Sequence, residues 1–533
     1  MSIYLGFDSS TQSLTVVAIA VDGNSRDVVF TRSLVFDEEF PEFGTRHGVL
    51  PSTEAGVAMA PPVMWAAALD RLMGVVASSA PFPLDDIRAI AGSAQQHGSV
   101  YLNNDAVRVL EKLDPGTPLA SEVSFMLARD TAPIWLDAST TAECTAIEAA
   151  VGGRTALARL TGSRACERFT GPQIRKWWTA DAEGYSRTGR IHLVSSFLAS
   201  LLAGPHAPLD RADASGMNLM DLANDRWSPA ALDAVAPGLG AKLPPIVPSW
   251  TIAGQLAPYW RVRYGFPAAN VVVWSGDNPC SLIGTGLVSG DRLGISLGTS
   301  DTVFAPMDDV RIDPSGCGHV FASALSSTGS IDWQPAFMGL TCFSNGSLAR
   351  EAVRDAFGLN WSSFSDLLRQ SAPGNRGGLM LPWFAPEITP AVAKPDVRRT
   401  GIDPSDAAAN VRGVVEAQMM AMANHSQWIQ PSPRTIHATG GAAANEEILR
   451  VVADVFDAPV FRFEVGNAAC LGAALRAWHA DGLASGSPVG WQEVVDSFVR
   501  PLGSAIEPAR EHAAVYAGLR QRYAAIERSV IKP

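Results

Sequence analysis

Charge is scarce in this chain. Asp, Glu, Lys and Arg make up 18% of its 533 residues, and no run of lysines and arginines is longer than two. With 41 basic side chains against 53 acidic ones, the formal net charge is −12. Nucleic acids and anionic membranes are gripped mainly by clustered cations, so neither is an expected partner. A polyanion would have to be held by backbone N–H groups, a few placed cations or a metal ion. Cysteine is sparse too. The six, at 144, 166, 280, 317, 342 and 470, form no C-x-x-C pair and have no nearby His at ligand spacing. Reduced thiols are expected, rather than a zinc site or a disulfide framework.

Long apolar runs are missing. Leu14 to Val21 and Ala55 to Leu69 are too short to span a bilayer, and the second contains Pro61 and Pro62. The opening Met-Ser-Ile-Tyr-Leu-Gly-Phe-Asp lacks a basic region, and Asp8 cuts its apolar stretch short, so the expected location is cytoplasmic. Several nucleotide and catalytic signatures are absent as well. There is no G-x-x-x-x-G-K-[ST] loop, no G-x-S-x-G and no H-E-x-x-H. The nearest approach to G-x-G-x-x-G is Gly284 to Gly290, where the last glycine comes one residue late and no strand directly precedes.

What remains is rich in hydrophobic residues, 47% of the chain, enough for two large domains or three ordinary ones. Short Val/Ile-rich runs alternate with alanine-rich segments of helical period, which predicts an α/β protein with helix-covered sheets. The first forty residues depart from this alternation. Ile3 to Phe7 and Leu14 to Val21 read as strands around the polar turn Asp8 to Ser13, and Val28 to Phe36 follows Asp22-Gly23-Asn24. The phrase returns about 290 residues later: Arg292 to Leu297 reads as strand, Gly298-Thr299-Ser300-Asp301 as turn, and Thr302 to Ala305 as strand. Two related domains would account for the recurrence; so would two unrelated hairpins. The Pro-rich Leu243 to Pro248 is a candidate boundary before the second copy.

Val271-Val272-Val273-Trp274-Ser275-Gly276-Asp277-Asn278-Pro279 is the sharpest local signal. A strand, a glycine turn and a helix start would expose Asp277 and Asn278 at the carboxyl end of a sheet, where open α/β folds bind ligands. Asp277 could accept a proton from a substrate hydroxyl, or the pair could simply cap the helix. Asp8, followed by Ser9, Ser10, Thr11 and Gln12, could hold hydrated Mg²⁺ while the turn holds phosphate oxygens. Gly298, Thr299 and Ser300 could grip the same phosphates, and each turn also has a purely structural reading. Ile436 to Asn445 places Gly440 and Gly441 between a strand and a helix, a floor that a flat ring can approach. The small face Ala469, Gly472, Ala473 after it suits close packing. Gln95-Gln96-His97-Gly98 ends another strand and offers directed donors and acceptors for sugar hydroxyls. Arg168 beside Phe169 could contact a polyol, or pair with Glu167 or Asp130.

These pieces, in this order and spacing, resemble the FGGY carbohydrate kinases, in the superfamily of actin and hexokinase. The likeness runs through Pro41 to Thr45, Gln95 to Ser99, Glu167 to Gly171, Ser215 to Leu219 and Asp454 to Val460, nearly the whole chain. It is greatest to the longer, animal-like members that act on D-xylulose. Gln95-Gln96-His97-Gly98 stands where glycerol-type members carry Gly-Gln-Arg-Glu, which points to a ketose. Trp135 to Ser139 lacks the Arg that many members place two residues after the Asp.

The resemblance implies two actin-like (ribonuclease H-like) α/β domains around a central cleft, each with a mixed five-stranded sheet. The implied division is a sugar-binding domain over 1–262, an ATP-binding domain over 263–485 and a helical tail over 486–533. It further implies ATP-dependent phosphorylation of D-xylulose to D-xylulose 5-phosphate, with Asp277 as base. Gln96, His97, Arg168, Asp277 and Asn278 would bind the sugar. Ser10, Thr11, Gln12, Gly298, Thr299, Trp361, Gly440, Gly441, Ala442 and Asn445 would bind ATP, and Asp8 would hold Mg²⁺. A kinase for another ketose (ribulose, L-xylulose, a ketohexose) stays open, as does a sugar-binding regulator without turnover. The expected partners are small molecules only, for a monomer or homodimer.

Overall fold

The computed structural model describes all residues except 24, 327–335, 464–465 and 532–533. The chain separates into two compact units. One comprises Met1–Val288, Phe321–Phe337 and Asn467–Val499; the other comprises Ser289–Val320, Met338–Gly466 and Arg500–Pro533. The Pro-rich segment 243–248 lies inside the first unit. The helices used below are α1 (Pro62–Ser79), α2 (Asp277–Gly284), α3 (Ser347–Ala356), α4 (Trp361–Gln370), α5 (Ala407–His425), α6 (Glu446–Phe456), α7 (Ala468–Ala484) and α8 (Arg510–Val530). Among the described residues no helix is long and apolar enough to cross a membrane.

The first unit is built on β1 (Ser2–Ser9), β2 (Ser13–Asp22), β3 (Ser25–Val35), β4 (Ile87–Ala94), β5 (Ile252–Gln255), β6 (Asn270–Val272) and β7 (Ser275–Gly276). They pair in the order β5-β6-β4-β1-β2-β3, with β7 on β4. β1 runs antiparallel to β2 and parallel to β4. Residues Ile3 to Phe7 are buried without alternation, as expected of a strand covered on both faces. α1 starts with proline in its first turn and buries Trp65, Leu69, Leu72, Met73 and Val76, a helical stripe on the core. Asp8 lies on β1 itself rather than in the turn after it, because β1 and β2 stay paired through Ser9 and Leu14.

Although α7 comes late in the chain, it packs in this first unit. The small residues of its face serve close packing. A Cβ on Gly472 would sit 1.9 Å from the Cys280 carbonyl oxygen, and one on Gly6 would sit 2.2 Å from that of Cys470. Buried Arg476 on α7 donates to the carbonyls of Gly92 (3.2 Å), Ser249 (2.7 Å) and Val273 (2.9 Å), tying the helix to the strand ends. All six cysteines are free thiols, and all but Cys342 are buried.

The second unit repeats the arrangement. β8 (Arg292–Leu297) runs antiparallel to β9 (Asp301–Met307) and parallel to β12 (Thr435–Thr439), which pairs with β13 (Val460–Arg462). β11 (Phe337–Phe343) lies beyond β9, with β10 (His319–Ala322) outside it. In each unit a hairpin therefore carries a parallel partner beside its first strand. The recurrence seen in the sequence is a recurrence of topology, not two chance turns.

Candidate active site

Strand register assembles the acidic site of the first unit. Asp8 pairs with Ser93, and Ser93 pairs with Ser275, so three strand ends stand level at one sheet edge. Gly276 and Asp277 follow. A Cβ on Gly276 would fall 2.4 Å from Gln96 Cγ and 2.8 Å from Asp213 Oδ1, so only glycine fits there. Asp277 is the first residue of α2, and no side chain caps that helix, so the capping reading fails. Instead its Oδ1 accepts from the Asn278 backbone N–H (2.8 Å) and side-chain amide (3.1 Å). That amide also donates to Gln96 Oε1 at 2.8 Å. Burial first, and the Asp8 charge second, push the Asp277 carboxyl up to about 7. A base poised near neutrality is what proton acceptance from an alcohol needs.

Asp8 is raised by burial as well, with the Ser93 hydroxyl moderating the rise. Its Oδ1 is sealed from solvent and has no hydrogen-bond partner. An unpaired buried carboxylate oxygen is costly, and a cation would satisfy it. Among the described residues no cluster of three or more His, Cys, Asp or Glu forms a metal cage. Asp8 fits the remaining mode, in which Mg²⁺ keeps its waters and takes one or two carboxylates together with substrate phosphates.

His97 sits at positive φ (71°), buried and stacked on Phe169 with ring centroids 4.1 Å apart. Its Nδ1 lies 2.8 Å from the Gly216 carbonyl, which can only accept, so Nδ1 carries the hydrogen and Nε2 is left as an acceptor. Burial and then the Arg168 charge push His97 down to about 3, so it is a neutral ligand and no acid. Arg168 lies with Cζ 5.9 Å from the Phe169 ring centre. Around these residues, both amide atoms of Gln95, the Gln96 Nε2 and the Asp213 Oδ1 are buried without partners. Protein interiors rarely tolerate such a concentration of unmet polar atoms, and a polyhydroxylated ligand could supply the missing donors and acceptors.

The turn after β1 is mostly self-contained. Ser10 Oγ bonds the Ser13 carbonyl (3.2 Å) and hydroxyl (3.0 Å). Thr11 Oγ1 accepts from the Trp135 indole N–H at 2.8 Å, which leaves its own hydroxyl hydrogen to donate elsewhere. Gln12 is exposed. Ser139 accepts from Lys176 Nζ at 2.7 Å, and Asp137 accepts from the Ser139 N–H and the Gln173 amide.

In the second unit the glycine elements and Trp361 come together. Gly298, Thr299, Trp361, Gly441, Ala442 and Asn445 line one open cavity of about 880 Å³. Gly440 lies behind it at φ 90°, where a Cβ would meet the Leu297 carbonyl oxygen at 2.4 Å, while a Cβ on Gly441 would meet nothing within 4 Å. Trp361 opens α4 and is 42% exposed, with Arg354 Cζ 4.6 Å over its ring. The Asn445 side chain is spent locally: its oxygen caps α6 through the Glu447 and Ile448 N–H groups, and its amide donates to Ser365 Oγ at 2.7 Å.

Sequence reading passes over two residues of these sites, Asp213 and Arg350, and takes Gln95 only within a cluster. Asp213, pushed up to about 8 by burial and then by the Asp210 and Asp277 charges, offers its Oδ1 beside Gly276. Arg350, wholly buried, lines the cavity of the second unit. A charged residue inside an apolar helical stripe was the available signal for Arg350; Asp213 stands two residues before the Ser215 to Leu219 stretch.

Two family descriptions match this chain: the N-terminal domain of the FGGY family of carbohydrate kinases over residues 129–284, and its C-terminal domain over 293–480. The xylulose kinase of Mus musculus is 42% identical over 537 residues, covering 99% of this chain and 94% of its own length. Xylulose kinase 2 of Arabidopsis thaliana is 40% identical over 499 residues, covering 90% and 87%. Among solved structures, xylulose kinase of Rhodospirillum rubrum superposes with a TM-score of 0.81 at 18% identity, covering 99% of both chains. Gluconate kinase of Lactobacillus acidophilus also gives 0.81 at 18%, covering 99% and 98%, so the fold alone does not choose the sugar. With both domain descriptions matched in order and relatives at 40–42% identity along nearly its full length, the chain belongs to the FGGY family of carbohydrate kinases.

Proposed function

We propose that this carbohydrate kinase transfers the γ-phosphoryl group of MgATP to D-xylulose, giving D-xylulose 5-phosphate and ADP. The choice of sugar is supported by the relatives above, which carry that activity in their names. The observation that carries the mechanism is Asp277: a carboxylate fixed by two Asn278 donors at a sheet edge, with its basicity raised toward neutrality. Asp277 accepts the proton of the 5-hydroxyl as that oxygen attacks the γ-phosphorus in line. Asn278 and Gln96 hold the carboxylate and the adjoining hydroxyls. His97 accepts from a sugar hydroxyl through Nε2, and Arg168 donates to the polyol.

On the nucleotide side, Trp361, Gly440, Gly441, Ala442 and Asn445 form the adenosine floor. Ser10, Thr11, Gln12, Gly298 and Thr299 take the phosphates. Asp8 would hold Mg²⁺ through water, where the ion would offset phosphate charge. Phosphoryl transfer asks for little covalent chemistry, so most of the acceleration comes from positioning and charge stabilisation.

The test is ADP release with MgATP across D-xylulose, D-ribulose, L-ribulose, L-xylulose, D-fructose and glycerol. The highest kcat/KM is expected for D-xylulose. Preference for another ketose would keep the mechanism and move specificity to His97, Arg168 and their neighbours. Binding of D-xylulose without ATP turnover would overturn the kinase assignment.

A further inference from the structure

The Gly298–Asp301 turn is held from beneath by an ion pair that is wholly withdrawn from water. Arg350, on α3, is 0% exposed, and Asp301 is 1% exposed. The guanidinium meets the carboxylate in a fork: Nη1 to Oδ2 at 2.9 Å and Nη2 to Oδ1 at 3.1 Å. Nη1 also donates to Gln418 Oε1 (3.0 Å) and Nη2 to the Gly298 carbonyl (3.3 Å). The Ser347 N–H, at the start of α3, donates to the carbonyls of Gly298 (2.9 Å) and Thr299 (3.1 Å). Gln418 in turn donates to the carbonyls of Asn345 (2.6 Å) and Gly346 (2.8 Å), fixing the approach to α3. Close packing leaves no slack, since a Cβ on Gly346 would fall 2.6 Å from the Thr299 carbonyl oxygen.

Desolvating two charges is expensive, and a well-packed apolar pair usually serves stability as well or better. Stability alone is therefore a poor reason for this pair. Its geometry suggests a different purpose. Both carbonyls at the head of the turn are drawn into the protein by α3, which leaves the outer side of the turn to the cavity that Thr299 lines. Anion sites need N–H and O–H donors presented without competing carbonyl oxygens.

We propose that Arg350, acting through Asp301 and the Gly298 carbonyl, is the positioning residue of the phosphate-binding turn, and that nucleotide affinity depends on it while sugar affinity does not. This rests on reading the second-unit cavity as the ATP site. The double variant Arg350→Met/Asp301→Leu replaces the pair with apolar side chains, for which folding is expected to persist. Arg350→Lys keeps the charge but cannot form the fork. MgATP affinity is measured by calorimetry, the KM for ATP and for sugar separately, and the melting temperature of each protein.

The expected result for the double variant is a near-unchanged melting temperature, ATP affinity and KM worsened on the order of tenfold or more, and a sugar KM within about twofold, with the lysine variant between it and wild type. A folded double variant that binds MgATP within about twofold of wild type overturns the inference. If the double variant does not fold, Arg350→Lys decides by the same comparison: wild-type ATP affinity refutes positioning, and a selective loss of ATP affinity supports it. Trp361→Ala serves as the control for the cavity. If it leaves ATP affinity unchanged, the cavity is not the nucleotide site and the inference falls with that reading.

Discussion

The two units answer the same design problem in opposite ways. In the first, ligand-seeking groups are buried and unmet: Asp8 Oδ1, both Gln95 amide atoms, Gln96 Nε2 and Asp213 Oδ1. In the second, Asp301 and Gln418 are satisfied inside the protein, and so is Arg350 apart from its Nε; an open cavity floored by Gly441 and walled by Trp361 is left. A small polyol must be recognised hydroxyl by hydroxyl, so directed donors and acceptors are held ready at a cost in stability. A nucleotide presents a flat ring and a chain of phosphates, which backbone, stacking and a rigid turn can hold with little side-chain specificity. Unmet polar atoms mark the one kind of site; empty space over glycines marks the other.

The largest test of this contrast is at Asp277. Asp277→Asn keeps the shape but cannot take a proton, and kcat should fall on the order of 10²–10⁴-fold, with ATP affinity nearly unchanged by calorimetry. The same group sets a pH dependence. Because a carboxylate must be ionised to act as base, and this one is raised toward about 7, kcat/KM for the sugar should fall as pH drops through that region rather than near 4. Asp8→Asn removes a like charge and should move that limb to lower pH; an unmoved limb would exclude Asp8 as its cause.

A mid-sized effect is expected on the other side. A Cβ at Gly441 would meet no atom within 4 Å, so for Gly441→Val the melting temperature should hold while the KM for ATP rises on the order of tenfold and the sugar KM stays put. An equal rise in both KM values would erase the contrast between the units. Trp361→Ala should cost less, about 2- to 10-fold in ATP affinity, the range of one aromatic stack.

The smallest effect concerns stability alone. His425 on α5 meets Glu527 on α8 at 2.8 Å. Burial opposes its charge, but Glu527, with Asp313 and Glu387 further off, outweighs burial and raises it above its ordinary 6.5. A raised histidine stabilises below 6.5 and loses that contribution as pH climbs through its folded value. Glu527→Gln should therefore lower stability at pH 6 by on the order of 1 kcal/mol, read as a lower melting temperature, and much less at pH 9.

Much of this was legible in residue order. Strand periodicity located β8 to the residue, and the repeated strand–turn–strand phrase pointed to two related domains without excluding two unrelated hairpins. Gly276-Asp277-Asn278 was legible because a strand end, a glycine and a helix start follow one another within a few residues. Local signals failed where the structure depends on distant partners. α7 joins the first unit although most of the second precedes it in sequence. Asn445 lines the cavity, and its side chain also caps a helix that begins one residue later.

The sequence by itself determined the family, the strand–turn–strand frame and the identity of the chemically capable residues, since these depend on residue type and near-neighbour spacing. Only the tertiary structure decided that Asp277 is held by Asn278 and made basic, that His97 is a neutral acceptor, and that a buried Arg350 braces the Gly298–Asp301 turn. Those properties come from desolvation and from charges brought close by folding, and both vary with distance in space rather than along the chain.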